Sequence, residues 1–132
     1  MFRFLLALAL ALPFPALAQS SFPYTVSTKS KPISITTATT TELIPGVTAQ
    51  AIGVTAFNVI ASGSGTIKFV SGDPTTCANP VDLTGAYSLA AASGLSSGAG
   101  IGLVLILPPA KSLCAVTSAA VTMSGLVAYV QF

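Results

Sequence analysis

The two cysteines of the chain, Cys77 and Cys114, constrain its fold more than any other feature of the sequence. They enclose a segment rich in glycine, serine and alanine, which contains the apolar run GIGLVLIL. A single pair of cysteines in an exported chain is normally oxidised, and closing a loop of this length contributes roughly 4 kcal/mol of stability on the chain-entropy account. We therefore predict one structural disulfide, which ties the middle of the chain to its last quarter.

The opening residues, MFRFLLALALALPFPALA, have the three parts of a secretory signal peptide. A basic residue precedes a leucine- and alanine-rich run, and a small-residue site closes it. An N-terminal membrane anchor fits less well, because the apolar run is short and Pro13 and Pro15 interrupt it. We expect a signal peptide over 1–18, an exposed segment over 19–31 and one domain over 32–132. The product would be periplasmic, extracellular or on the cell surface, with no stable transmembrane helix after cleavage.

The chain contains no histidine and few charges. Once Arg3 is removed with the signal peptide, four lysines face three carboxylates, a net charge of +1. So neutral a domain lacks the basic surface that binds nucleic acid. Zinc sites with histidine ligands, Ser-His-Asp triads and histidine bases are unavailable, and a catalytic thiol would have no histidine to activate it. We expect a protein that is not an enzyme, with no catalytic residues and no cofactor.

The turn-rich loop SGDPTTCANPVD carries two of the three carboxylates, Asp73 and Asp82. An aspartate before proline usually caps its own backbone, and calcium takes six or more oxygen ligands. A glycosidase pair would need the two groups on opposite sides of a sugar, which one short loop does not indicate. The glycine-rich residues 94–102 do not lead into a helix, so a phosphate-binding loop is not indicated. We predict no metal site.

Alternating hydrophobicity predicts strands through most of the mature chain. In TIKFV the side chains of Ile67 and Phe69 point inward and Lys68 points outward. Residues 51–60 are apolar on both faces, with Phe57 opposite Ile52, which suits a central strand of a two-layer structure. The flexible SGSG at 62–65 predicts that these two strands form a hairpin.

The positions of individual lysines, glycines and prolines predict an edge strand, a turn and a bend. Lys29 and Lys31 indicate a solvated edge strand that is protected from pairing with other molecules. Gly46 after Pro45 predicts a type II turn with positive φ at the glycine, and Gly125 predicts a bulge or bend in the last strand. Residues 94–102 are expected to be irregular, and 101–107 to form a strand buried on both faces. Together these features predict an all-β, two-layer antiparallel β-sandwich, jelly-roll or immunoglobulin-like, with seven to nine short strands.

Several segments together resemble a family of small proteins encoded in tailed-phage and prophage genomes. They are the threonine run ending in TELI, GTIKFV, the first cysteine, VDLTGAYSL, the Gly-x-Gly-Ile-Gly segment and LC followed by TSAAVTMSGLVAYVQF. The resemblance covers nearly all of the mature chain and implies a virion-associated or host-surface setting, but no site residues. The export signal departs from this pattern, because virion parts assemble in the cytoplasm, and it leaves room for a secreted or periplasmic product.

Three functional hypotheses are compatible with the sequence. The first is a structural or interaction protein that packs against itself or a larger assembly through apolar, threonine-rich surface, as a decoration or appendage subunit would. The second is a module that binds a cell-surface glycan, for which Tyr24, Tyr87 and Tyr129 are the candidate aromatics. The third is an outer-membrane β protein, prompted by the terminal Phe132 and the alternation before it.

Overall fold

A computed structural model describes residues 28–98 and 102–132, so the predicted signal peptide and Tyr24 lie outside the described residues. Within these ranges the regular secondary structure is entirely β-strand, and no helix is long and apolar enough to span a membrane. The strands are β1 Lys29–Ile35, β2 Thr40–Ile44, β3 Ile52–Ala61, β4 Gly65–Gly72, β5 Val81–Asp82, β6 Tyr87–Leu89, β7 Gly94–Ser97, β8 Leu105–Leu107, β9 Ser112–Thr117 and β10 Met123–Gln131. The ten strands exceed the predicted seven to nine because several edge strands have only two to four residues.

The strands form two antiparallel sheets of five strands each. Sheet I has the order β1-β10-β3-β7, and β8 follows β7 end to end along the same side of β3. Sheet II has the order β2-β9-β4-β5, and β6 follows β5 end to end along the same side of β4. Each sheet therefore has four strand positions, and their order is that of a jelly roll, in which two Greek keys pack face to face. The all-β sandwich prediction is confirmed.

The core lies between the two sheets and follows the alternation of the strands. Ile67 and Phe69 of β4 are fully buried while Lys68 points away from the core, as predicted. The rings of Phe57 in sheet I and Phe69 in sheet II meet across the sandwich, with their centroids 4.7 Å apart. The apolar faces of both sheets therefore close on one another and leave two outer faces.

The predicted hairpin between β3 and β4 is wrong. The two strands lie in different sheets, since β3 pairs with β10, β7 and β8, whereas β4 pairs with β9, β5 and β6. The SGSG segment carries the chain from one sheet to the other, and the backbone N–H of Ser62 donates to Thr122 O at 2.8 Å. Alternation shows which face of a strand is apolar, but not which strand lies beside it.

β3 is a central strand, as predicted, but its two faces are assigned differently from the prediction. Its pairing with β10 skips Thr55, since Tyr129 lies opposite Val54 and Ala128 opposite Ala56. One unpaired residue shifts the alternation by one position. Phe57 therefore lies on the same core face as Ile52 and Val54, rather than opposite them.

Two glycines have different roles from those predicted. Gly46 does not have a positive φ, and the left-handed residue of this turn is Ala49, with a φ of 63°. Gly46 is needed for space, because a Cβ there would lie 2.6 Å from the backbone carbon of Lys111. Gly125 lies in regular pairing with Ile33 and Val59 and forms no bulge. It allows β10 to approach β3 closely, since a Cβ would overlap backbone atoms of β3.

The segment between residues 94 and 107 also departs from the prediction. Gly94–Ser97 forms β7 rather than an irregular stretch. Its glycine and serines do not favour a strand, but hydrogen bonding to β3 holds the segment extended. Residues 99–101 lie outside the described residues, and in the described part of the run predicted to be buried on both faces only Leu105–Leu107 forms a strand. Ile106 is 60% exposed, because β8 lies at the edge of sheet I and Ile106 points away from the core.

The first strand begins within the segment that we expected to precede the domain. β1 starts at Lys29 and pairs with β10 along its whole length, so the sandwich begins three residues before the predicted boundary at 32. β1 pairs with β10 alone, which makes it an edge strand. Lys29 and Lys31 lie on the same face as Ile33, so both point toward the open end of the core. Inward-pointing charges of this kind hinder the addition of another strand.

Candidate functional site on the outer face of sheet I

The outer face of sheet II is covered by the loop that carries the disulfide. Cys77 in this loop is bonded to Cys114 in β9, with their Cα atoms 6.2 Å apart, which confirms the predicted bridge. Both cysteines are buried, and Val70 packs with them in a small second apolar cluster. Gly72 leaves room for the loop to fold back, because a Cβ there would lie 2.8 Å from the Cα of Cys77. This face is therefore closed by the chain's own covalent and apolar contacts.

Most charges of the described residues lie on this same side of the molecule and are paired. Lys68 contacts Asp82 at 2.9 Å, and Lys111 contacts Asp73 at 2.5 Å. The two aspartates of the loop thus face different lysines instead of forming one site. Glu42 accepts hydrogen bonds from the Ser112 hydroxyl at 2.6 Å and from the backbone N–H of Thr75 at 2.8 Å. Among the described residues no group of histidine, cysteine, aspartate or glutamate is arranged to hold a metal ion.

The ion pair at Asp73 makes a prediction about acid stability. The Lys111 ammonium and the Asn79 amide, in that order of importance, hydrogen-bond to the carboxylate and hold the pKa of Asp73 below its ordinary value of 3.8. A carboxyl group with a lowered folded pKa stabilises the fold above its unfolded pKa, and this contribution is lost as the pH falls through the folded pKa.

We expect Asp73→Asn to lower the thermal unfolding midpoint slightly at neutral pH, because the pair is partly exposed and screened. Well below pH 3.8 the wild-type carboxyl is protonated as well, so the two midpoints should converge. Thermal unfolding of both proteins across this pH range measures the difference. A difference that persists unchanged in acid would contradict the assigned role of the Lys111 pair.

The outer face of sheet I is uncharged in contrast. Its members are the residues that alternate with core positions along each strand. They are Ser30, Pro32 and Ser34 of β1, Ser124, Leu126, Ala128 and Val130 of β10, Gly53, Ala56, Asn58 and Ile60 of β3, Gly94 and Ser96 of β7, and Ile106 of β8. None of these positions holds a charged side chain. The inward direction of Lys29 and Lys31 keeps the charges of β1 off this face.

Large apolar side chains stand exposed on this face. Ile60 is 51% exposed, Leu126 46% and Ile106 60%. Leu103 and Phe132 extend the apolar area, since Leu103 covers Gly53 and Phe132 continues the pairing of β10 opposite Ala51. These five account for most of the exposed large apolar residues of the described chain. Concentration on one uncharged face is the pattern of a contact surface, whereas scattered apolar residues need no explanation.

A shallow depression lies directly beside Leu126. Leu126 itself lines it, together with Ala56, Asn58, Ser96 and Ala128. A projecting leucine thus stands at the rim of a shallow, open hollow. The face combines the two shapes that a self-complementary contact requires.

The described tyrosines do not form a site on either outer face. Tyr87 packs against the core, with its ring centroid 6.5 Å from that of Phe57, and Tyr129 is likewise half-buried against the core. Both therefore contribute to the sandwich, and the glycan hypothesis gains no support from them. The terminal alternation of Ala128, Val130 and Phe132, which suggests an outer-membrane strand in the sequence, marks the outer face of β10 in the structure.

The fold and its surfaces define a class of protein: a small jelly-roll domain that is closed by one buried disulfide and has one charged and one uncharged outer face. A buried disulfide in a domain of this size is compatible with export. A scan against models of protein families and searches of curated proteins and of solved structures find no match to this chain.

Proposed function

We propose that the chain is an exported, non-enzymatic structural protein that associates with itself through the outer face of sheet I. The observation that carries this proposal is the uncharged face itself, with Ile60, Leu126 and Ile106 exposed on it. Removing such surface from water is favourable by roughly 25 cal/mol per Å². A charge-free contact also requires no desolvation of ionised groups, which would oppose association.

A second copy of the chain is the occupant that best matches this face. The outer face of sheet II carries the pairs Lys68–Asp82 and Lys111–Asp73, so covering it with apolar surface would desolvate charges. The outer face of sheet I presents no such group, and a twofold contact places the same face of each copy against the other. In that arrangement Leu126 of one copy can enter the depression between Ala56 and Ala128 of its partner.

The size of the face is sufficient for a specific but modest contact. Its two long strands span roughly 30 Å at about 3.3 Å per residue, and four strand positions cover roughly 19 Å. The flat area is then roughly 500 Å² per copy, or about 1,000 Å² for the pair, which is the lower bound for a specific interface. Such a contact forms reversibly and depends on its best-packed side chains.

The proposed location of the protein is outside the cytoplasm. The predicted signal peptide over 1–18 and the disulfide both favour export. Jelly rolls are found in viral capsid and lectin domains, but a fold does not by itself select a function. The resemblance to phage and prophage proteins makes a decoration or appendage subunit at a host or virion surface the most specific form of the proposal.

The test is the effect of one charge placed at the centre of the face. Leu126 lies on the central β10 and points away from the core, so Leu126→Lys should leave the fold intact. We expect sedimentation velocity to show a concentration-dependent assembly for the wild-type chain and a smaller species for L126K. Burying the new ammonium without a partner would cost several kcal/mol.

Val81→Lys is the matched control. Val81 is 63% exposed, but it lies in β5 at the edge of sheet II, away from the proposed contact. V81K should assemble like the wild type. A wild-type chain that stays monomeric at every concentration, or an L126K chain that assembles normally, would overturn the proposal.

A further inference from the structure

We infer that the open edge of β7 pairs with the β7 edge of a second copy, so that sheet I continues from one subunit into the next. This inference rests on the proposed self-association and adds a contact that is separate from the outer face. Within the described residues β7 pairs with β3 alone, so one side of this strand has no partner strand. Exposed edge strands are templates for pairing with another chain unless something blocks them.

The other edges of the two sheets either carry such blocks or are shorter than β7. β1 contains Pro32 and two inward-pointing lysines, and β2 contains Glu42 with a register shift after it. β5 has only two residues, one of which is Asp82. β7 has the sequence GLSS, with neither a charge nor a proline. β6 and β8 also have neither, but each has only three residues. β7 is therefore the longest edge strand of the described residues that carries no charge and no proline.

The direction of the backbone groups in β7 follows from the hydrogen bonds at the end of β3. The N–H of Ala61 donates to Ser93 O at 3.0 Å on the β7 side, and the N–H of Ser62 donates to Thr122 O at 2.8 Å on the β10 side. Because these directions alternate along a strand, Asn58 and Ile60 direct their backbone groups toward β10. Their partners in β7, Gly94 and Ser96, therefore direct N–H and C=O groups away from β3.

Two copies of this edge are complementary to each other. A twofold axis at Leu95 places Gly94 of each copy opposite Ser96 of the other, and the four N–H groups then meet four C=O groups. Leu95 is half-buried against the core at this edge, so the two Leu95 side chains would cover one another. The edge of β6 offers fewer hydrogen-bonding groups, because only its middle residue, Ser88, can direct its backbone N–H and C=O outward.

The edge contact has a consequence for the size of the assembly. A single twofold contact yields a dimer, whereas two different twofold contacts on each subunit join dimers into tetramers or longer arrays. The face contact is close to the lower bound for a stable interface, and the edge contact adds four backbone hydrogen bonds to the assembly. We therefore expect the wild-type particle to be larger than a dimer.

The test is Ser96→Pro, with Ser88→Pro as its matched control. Proline at 96 removes an outward N–H and leaves the pairing with β3 in place. Ser88 is also an exposed serine at a strand edge, and its N–H points outward because Thr66 uses its own backbone carbonyl toward Ser118. By sedimentation equilibrium we expect the S96P particle to fall to a dimer, and the S88P particle to keep the wild-type mass.

The edge and face contacts fail in distinguishable ways. Ser96 also lines the depression of the outer face, so the double variant decides which contact S96P removes. L126K alone should leave an edge dimer, S96P alone a dimer, and the double variant a monomer, whereas a double variant that stays a dimer would overturn the edge pairing. An S96P particle of wild-type mass would overturn the edge pairing while leaving the face contact standing. Amide exchange of wild-type Gly94 and Ser96 tests the edge without mutation, since pairing should slow both amides as the protein concentration rises. Equal exchange in dilute and concentrated samples would also overturn the inference, even if S96P fails to fold.

Discussion

Replacing Cys77 and Cys114 together with alanine is expected to lower the free energy of unfolding by roughly 4 kcal/mol. The two residues are 37 positions apart, and the open chain regains the entropy that the bridge removes from its unfolded state. Small domains have only about 5–15 kcal/mol of stability in total, so this is a large share. Chemical denaturation of the variant and of the oxidised wild type measures the difference.

The reduced wild-type chain is the control for the packing of the two side chains. It retains both sulfur atoms, so a similar loss of stability on reduction would assign the effect to the open loop rather than to missing volume in the cluster with Val70. The outer face of sheet I lies on the opposite side of the sandwich, so the folded double variant should still assemble. A loss below about 1 kcal/mol would contradict the role given to the bridge.

The sequence was sufficient to predict the fold class because the relevant signals are local. Alternation at Ile67 and Phe69 fixes an inner and an outer face, and two cysteines without a histidine leave a bridge as the simplest use of the thiols. Strand order is different, because β10 lies between β1 and β3, far from either in the sequence. The predicted hairpin at 62–65 failed for this reason.

Local irregularities were missed because they depend on a neighbouring strand. Nothing in the residues around Thr55 indicates that β10 skips it, yet that skip places Phe57 in the core. Gly46 and Gly125 were assigned to turn and bulge conformations, whereas the structure uses both to avoid contact with a neighbouring backbone. A glycine can be required either for an unusual backbone conformation or for the close approach of another chain segment. The sequence does not show which of the two applies, because that depends on the neighbouring strand.

The candidate site was only partly predictable from the sequence. Apolar surface and self-association were expected from the low charge, but the uncharged face is assembled from β1, β10, β3, β7 and β8. These residues form one continuous uncharged surface only when the strands lie side by side in the sheet. The same holds for the edge of β7, whose glycine and serines were expected to be irregular. Strand order decides which strand lies at an edge and which residues share a face, and the alternation within one strand does not reveal that order.

Gly125→Ala is expected to destabilise the sandwich strongly. β10 is a central strand of sheet I, and a Cβ at 125 would overlap the carbonyl oxygen of Asn58 and lie 3.0 Å from the Cα of Val59. These atoms belong to the backbone of β3, which is held by pairing on both sides and cannot move without breaking that pairing. We expect a loss of about 3 kcal/mol, the upper end of what overpacking usually costs.

Gly85→Ala is the matched control, because a Cβ at Gly85 would meet no atom within 4 Å and its φ lies outside the left-handed region. Alanine there should leave the stability unchanged or raise it slightly, by restricting the unfolded chain. Denaturation midpoints of the two variants isolate the close approach of β10 and β3 from the general effect of replacing glycine. If G125A proved as stable as G85A, the two strands would have room to separate, and Gly125 would not be required for the packing of sheet I.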